Sequence, residues 1–187
     1  TRFEKPQERD ELMSDLIMPL VNEKDSFLTE VPEYFDFNSP HEDPDKLEQR
    51  LVDNMKYHNG IGLSANQIGI PVAAFAMITD GEPMVVFNPD IVEWGEEHTY
   101  EKEGCLSFPY LFMPVKRVET IGTRFQLKDE SEQFGTFGGL LSRIFQHEME
   151  HMQGELFIDN VSDFKLKSAM KKRKILKRKV ERRQKNG

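Results

Sequence analysis

Two histidines four residues apart, His147 and His151, with a glutamate directly after the first, are the side chains in this sequence best equipped for chemistry. On a helix that spacing turns both imidazoles to one side, within reach of a single metal ion. Glu148 can then take a proton from metal-bound water and pass it on. A plain amphipathic helix with surface His and Glu would show the same letters, so the pattern needs a third ligand and one open position. A further histidine six residues past His151 would supply it, but Phe157 stands there. A downstream glutamate fails as well, because past Asp163 the only acid is Glu181, in a basic tail. The remaining soft donor is Cys105, in the segment Glu103-Gly104-Cys105-Leu106-Ser107. Two nitrogens and one thiolate suit zinc or ferrous iron, and Gly104 permits close approach of backbone to an ion. Two other readings of Cys105 stay open: a small buried hydrophobe, and a nucleophile paired with histidine.

A third segment runs Gly60-Ile61-Gly62-Leu63-Ser64-Ala65-Asn66-Gln67-Ile68-Gly69. No Lys-Ser/Thr follows the glycines and the dinucleotide-binding spacing is absent, which argues against a phosphate loop. The segment fits a flexible strand edge beside which an extended substrate backbone lies, with Gln67 donating an amide proton to a developing oxyanion. For Gly60 and Gly69 a simple turn between helix and sheet serves equally well.

Elements must hold these segments in place. Asp43 before Pro44 caps a first helix reaching about His58, with Leu47, Leu51, Val52 and Met55 inward and Asn59–Gly60 as its stop. From Pro71 to about Leu127 the runs VAAFAMI, MVVF, VETIG and RFQL read as strands. Asp80–Gly81 and Asn88–Pro89 read as turns between them, favouring antiparallel hairpins. Gly138–Gly139 opens the second helix, LLSRIFQHEMEHM, which Gly154 closes; Leu140, Leu141, Ile144, Phe145 and Met149 recur at helical spacing. Residues 1–43, punctuated by Pro19, Pro32 and Pro40, read as loops with one short helix.

The 187 residues suit one catalytic domain over 1–162 with a basic tail over 163–187. The net charge of -8 is uneven: the tail holds 12 of the 25 Lys and Arg but two of the 33 acids, so it is +10 and the remainder -18. An acidic body and a basic tail should meet different partners, and runs such as KKRK could bind RNA phosphates. The alternative is a solvated helix or a disordered extension. No apolar run approaches the roughly 20 residues of a membrane span. The first residues mix acids and bases like no targeting peptide, and one cysteine forms no internal disulfide, so a cytoplasmic protein is expected.

Taken together, GIGLSANQ, EGCLS and QHEMEH resemble, in this order, the peptide deformylase signatures GxGLAAxQ, EGCLS and QHExDH, and the resemblance spans roughly residues 43–159. It implies an α+β fold with antiparallel sheets packed around a central metal-binding helix. It further implies that Cys105, His147 and His151 bind one divalent ion, natively Fe(II), with zinc, nickel or cobalt as substitutes. Glu148 would be the general acid–base for removing the formyl group from N-formylmethionyl nascent peptides, with the Leu106 N–H and the Gln67 amide stabilising the oxyanion. Ile61, Gly62, Leu63, Gly104 and Ile144 would contact substrate, Ile61 and Ile144 at the methionine side chain. A monomer is expected, and the tail would contact the ribosome. Ser64 and Asn66 depart from the commonest Ala and Pro, Glu150 from the usual Asp, and the loop after Pro109 lacks an arginine. A metallopeptidase built on the same helix, and a non-catalytic ribosome- or RNA-binding protein with a structural metal, are the competing readings.

Overall fold

The structure, a computed structural model, describes residues 17–185. The loop reading of residues 1–16 and the last two residues of the tail lie outside them. The first helix, α1 (Pro44–Tyr57), forms because the Asp43 carboxylate accepts the Asp45 and Lys46 N–H groups at 3.0 and 3.2 Å, with Pro44 at a position needing no donor. Leu47, Leu51 and Met55 are fully buried, and Asn59 in the left-handed region (φ 56°) ends the helix.

Seven strands follow: β1 (Gly62–Ser64), β2 (Ala74–Thr79), β3 (Glu82–Trp94), β4 (His98–Gly104), β5 (Phe112–Val118), β6 (Thr120–Gln126) and β7 (Glu132–Gly138). They make an antiparallel five-stranded sheet in the order β1-β2-β3-β6-β7 and a separate β4-β5 hairpin. Helix α2 (Gly139–Met152) packs against strands of both sheets, so the fold is α+β with the helix central. Phe75, Met77, Val86, Ile121, Phe125, Ile144, Phe145 and Met149 seal it onto the large sheet. Cys105, Phe108, Met113, Val115 and Phe157 form the core under the hairpin.

Asp80 (φ 51°) and Gly81 (φ 85°) make the expected two-residue hairpin turn between Thr79 and Glu82. Asn88–Pro89 is not a turn. β3 runs straight through it, with a register shift between Phe87 and Asp90. Asn88 tolerates positive φ (49°), and its side chain pairs with the backbone of Phe35 at 2.7 and 2.9 Å and with Gln126 at 2.8 Å. Pro89 sits where a bulge needs no ladder donor. VETIG is not one strand either: β5 ends at Val118, β6 starts at Thr120, and the chain changes sheets at Glu119. Leu140, expected inward, is 57% exposed, because burial of α2 begins only at Ser142.

Residues 17–43 contain a single short 3-10 turn, Ser26–Thr29. Helix α3 (Asp163–Lys185) follows the second histidine, and one face of it docks on the body through buried Ala169 and Arg173. Arg173 donates to the Pro109 carbonyl at 2.9 Å and pairs with Glu23. That hydrogen-bonded pair holds the Glu23 carboxyl below its ordinary range. Its stabilisation is complete above the ordinary carboxylate range and is lost as pH falls through Glu23's lowered one. Arg173→Ala should therefore cost about 1–2 kcal/mol near neutral pH. The gap between the urea unfolding curves of wild type and variant should narrow as the medium is acidified, leaving the contribution of the Pro109 contact.

Candidate metal centre

Ser142 to Met152 is buried on every side, although it contains Arg143, His147, Glu148, Glu150 and His151. Such groups stay ionised in an interior only when each is paired or holds a ligand. The hairpin supplies the pairs. The Glu103 carboxylate accepts from His147 Nδ1 at 2.6 Å, from Arg117 Nε at 3.1 Å and from Arg143 at 3.1 Å. On its other side Arg117 grips Glu150, which Asn160 also contacts. Burial works against the Glu103 carboxylate, yet the His147 and Arg117 hydrogen bonds outweigh it and bring it down to about 2. With Nδ1 committed to Glu103, His147 presents Nε2 for a ligand.

Across from it stand Cys105 and His151. One donor atom each from Cys105, His147 and His151 lies within 4.8 Å of the others. Cys105 Sγ is 3.5 Å from His151 Nε2. Sulfur and nitrogen on one tetrahedral ion, at about 2.3 and 2.0 Å, would be separated by roughly 3.5 Å, so the donor set fits a metal. Burial holds His151 well below its usual range and so neutral, as a ligand must be. Burial also opposes charge on His147, but Cys105 and Glu103 on either side outweigh it, so the place between them favours a cation. Glu103, His147 and Glu150 come equally close. Arg117 already bridges those two carboxylates, so that set supports the site and does not hold an ion.

Gln67 is buried in the short 3-10 helix Ala65–Ile68 after β1. Its Oε1 accepts the Ser64 N–H at 3.0 Å, which turns Nε2 toward Cys105 Sγ (3.3 Å) and Ser107 Oγ (3.2 Å). Glu148 lies against β1: a methyl group at Gly62 would meet its Oε1 at 2.3 Å and Ile144 Cγ2 at 3.0 Å. Its Oε2 is buried without a protein partner, and burial pushes the carboxyl up to about 7. The arrangement suits a group that takes and returns a proton near neutrality. Leu106 sits between Cys105 and Gly60, in contact distance of the latter's missing Cβ, and Ile61 is 53% exposed at the end of β1. At Gly104 the space where a Cβ would stand is taken by the Phe112 ring.

Glu103, Arg117, Arg143 and Ser107 were not singled out from the sequence, although signals existed. Glu103 is two residues before Cys105, the spacing that shares a strand face, and Arg117 falls on the buried register of Met113 and Val115 in β5.

A family model described as polypeptide deformylase matches residues 17–167. The peptide deformylase of Thermotoga petrophila is 36% identical over 138 residues, 74% of this chain and 84% of the relative. That of Bartonella tribocorum is 38% identical over 170 residues, 85% of this chain and 91% of its own. Among solved structures, a peptide deformylase from Legionella pneumophila superimposes with a TM-score of 0.78 at 30% identity, covering 89% of this chain and 98% of that one.

The Glu103–His147 hydrogen bond yields a prediction about metal affinity alone. Glu103→Gln should weaken binding of zinc by about 10- to 100-fold in a chelator competition, with one ion per chain at saturation. Unchanged affinity would show that the carboxylate has no part in orienting His147.

Proposed function

The chain belongs to the peptide deformylase family and is a metal-dependent hydrolase that removes the formyl group from N-formylmethionine of newly made polypeptides; we propose that Cys105, His147 and His151 hold its metal. The observation that carries this assignment is the meeting of three distant segments at one buried point, where Cys105 Sγ lies 3.3 Å from Gln67 Nε2 and 3.5 Å from His151 Nε2. An ion held by Cys105, His147 and His151 would supply an acidified water and polarise the carbonyl oxygen.

The protein's own groups do the rest. Glu148 takes the proton of the attacking water on its buried carboxylate, holds it, and delivers it to the nitrogen of the departing methionine amine. The Gln67 amide and the Leu106 N–H donate to the formyl oxygen as it gains charge. β1 is the edge of the large sheet, so Gly62 and Leu63 are placed to pair with the peptide backbone as an added strand. Ile61, Ile144 and Leu106 form the apolar surroundings of the methionine side chain. The metallopeptidase and non-catalytic readings gain no support from the family match.

Two nitrogens and one thiolate accept several ions, and we assign Fe(II) as the native one, with zinc, nickel or cobalt able to replace it. We further assign residues 1–162 as the catalytic unit, acting as a monomer in the cytoplasm. No helix of the described residues is long and apolar enough to cross a membrane. α3 exposes Lys171, Lys172, Lys174, Arg178 and Lys179 while Arg173 anchors it, which supports contact between this basic face and the ribosome.

Anaerobically prepared iron protein should release formate from formyl-Met-Ala; absence of formate would overturn the site assignment. Chelation should abolish release and added metal restore it. Glu148→Gln should keep the ion and lose roughly 10²- to 10⁴-fold in kcat. Gly62→Ala should lose about 10²-fold by displacing the same carboxylate, again with full metal content. For the tail, reversing Lys171, Lys172, Lys174, Arg178 and Lys179 should strongly weaken co-sedimentation with ribosomes at low salt, an interaction that in wild type weakens steeply as salt rises.

A further inference from the structure

Three polar side chains stand almost consecutively in the interior between β1 and the metal-ligand helix: Ser64 is fully buried, and Asn66 and Gln67 are each 1% exposed. Buried polar groups must satisfy one another, and here the partners dictate every orientation. The His151 carbonyl can only accept, so Asn66 faces it with its nitrogen, Nδ2 donating at 3.2 Å. Asn66 Oδ1 must then face Ser64, whose hydroxyl donates to it at 2.6 Å. The Ser64 N–H can only donate, so Gln67 faces it with Oε1 at 3.0 Å and its nitrogen is left for the cleft. Ser64 Oγ also lies 3.2 Å from Gln67 Oε1, but it has one proton and the shorter contact to Asn66 takes it.

Ser64 thus touches Gln67 through its backbone and Asn66 through its side chain, and Asn66 ends on the backbone of a metal ligand. We propose that Ser64 and Asn66 form a hydrogen-bonded strut that sets the separation between the Gln67 amide and His151, making both positioning residues for deformylation. Neither side chain contacts the reacting atoms. The strut spans 85 residues of sequence, from Asn66 to His151, and among the described hydrogen bonds it alone joins the Gln67 segment directly to the backbone of α2. A small displacement of an oxyanion donor relative to the ion that shares the same oxygen lowers turnover while leaving the peptide's grip along β1 intact.

This inference rests on the deformylase reading of the site, and its test separates the two. Ser64→Ala, Asn66→Ala and the double variant are prepared in the cobalt form beside wild type. kcat and KM are measured on formyl-Met-Ala, and the cobalt–thiolate absorption is recorded without substrate. Each single variant should bind one ion per chain, lose about tenfold in kcat, the size of one buried hydrogen bond, and keep KM within about twofold. The double variant should fall no further than the worse single one, because the two residues act as a unit. Their visible spectra should shift together, since both release the His151 backbone. Unchanged kcat, losses that multiply in the double variant, or a spectrum identical to wild type would each overturn the strut. Inactive wild-type protein would overturn the deformylase reading of the site, while the spectra would still decide whether the strut holds His151.

Discussion

α2 carries five ionisable side chains into a buried interior, and the rest of the fold is arranged around that cost. A charge moved out of water without a partner costs several kcal/mol, more than most single contacts in a domain return. Arg143, Glu103, Arg117 and Glu150 form an alternating row of charges, and Glu103 within it also accepts from His147. Only Glu148 Oε2 and His151 Nδ1 on this helix are buried without a hydrogen-bond partner among the described residues. The helix is therefore paired at Arg143, His147 and Glu150 and left with an unpartnered atom at Glu148 and at His151.

This arrangement explains why two separate sheets are needed. The β4-β5 hairpin brings the thiolate and the Glu103–Arg117 pair, which must approach α2 from the side where both histidines point. The five-stranded sheet brings its β1 edge, which provides Gly62 beneath Glu148 and then turns to present Gln67. Because a Cβ at Gly62 would fall 2.3 Å from the Glu148 carboxylate, β1 and that carboxylate share one narrow space. The β1 edge and the Glu148 carboxylate are brought together by the absence of a side chain.

The clustering of Cys105, His147 and His151 was legible in the sequence because it is written in spacing. His147 and His151 are four apart on a strongly periodic helix, and Cys105 was the only soft donor left once downstream ligands were ruled out. The cap at Asp43–Pro44 and the turn at Asp80–Gly81 were legible for the same reason, since each rests on local backbone chemistry. What escaped depends on partners distant in sequence. β4 (HTYEKEG) and β7 (EQFGTFG) lack the apolar alternation of strands because they are largely exposed and are held by the neighbours they pair with. Asn88–Pro89 carries a turn's composition, but Phe35, 53 residues away, uses the Asn88 side chain as a backbone partner and makes a bulge the better solution.

Glu150 shows how far a departure from a familiar pattern can be judged from the residues around it. A glutamate in place of aspartate reaches one methylene further along a helix packed on all sides, and that length needs a destination. Here Glu150 spans to both nitrogens of Arg117's terminal fork and to Asn160, so the extra reach ends in a fully paired carboxylate. Its consequence passes through Arg117 to Glu103 and so to the ring of His147, three hydrogen-bonded steps away. The substitution leaves the donor set intact and acts, where it acts at all, on the orientation of one imidazole.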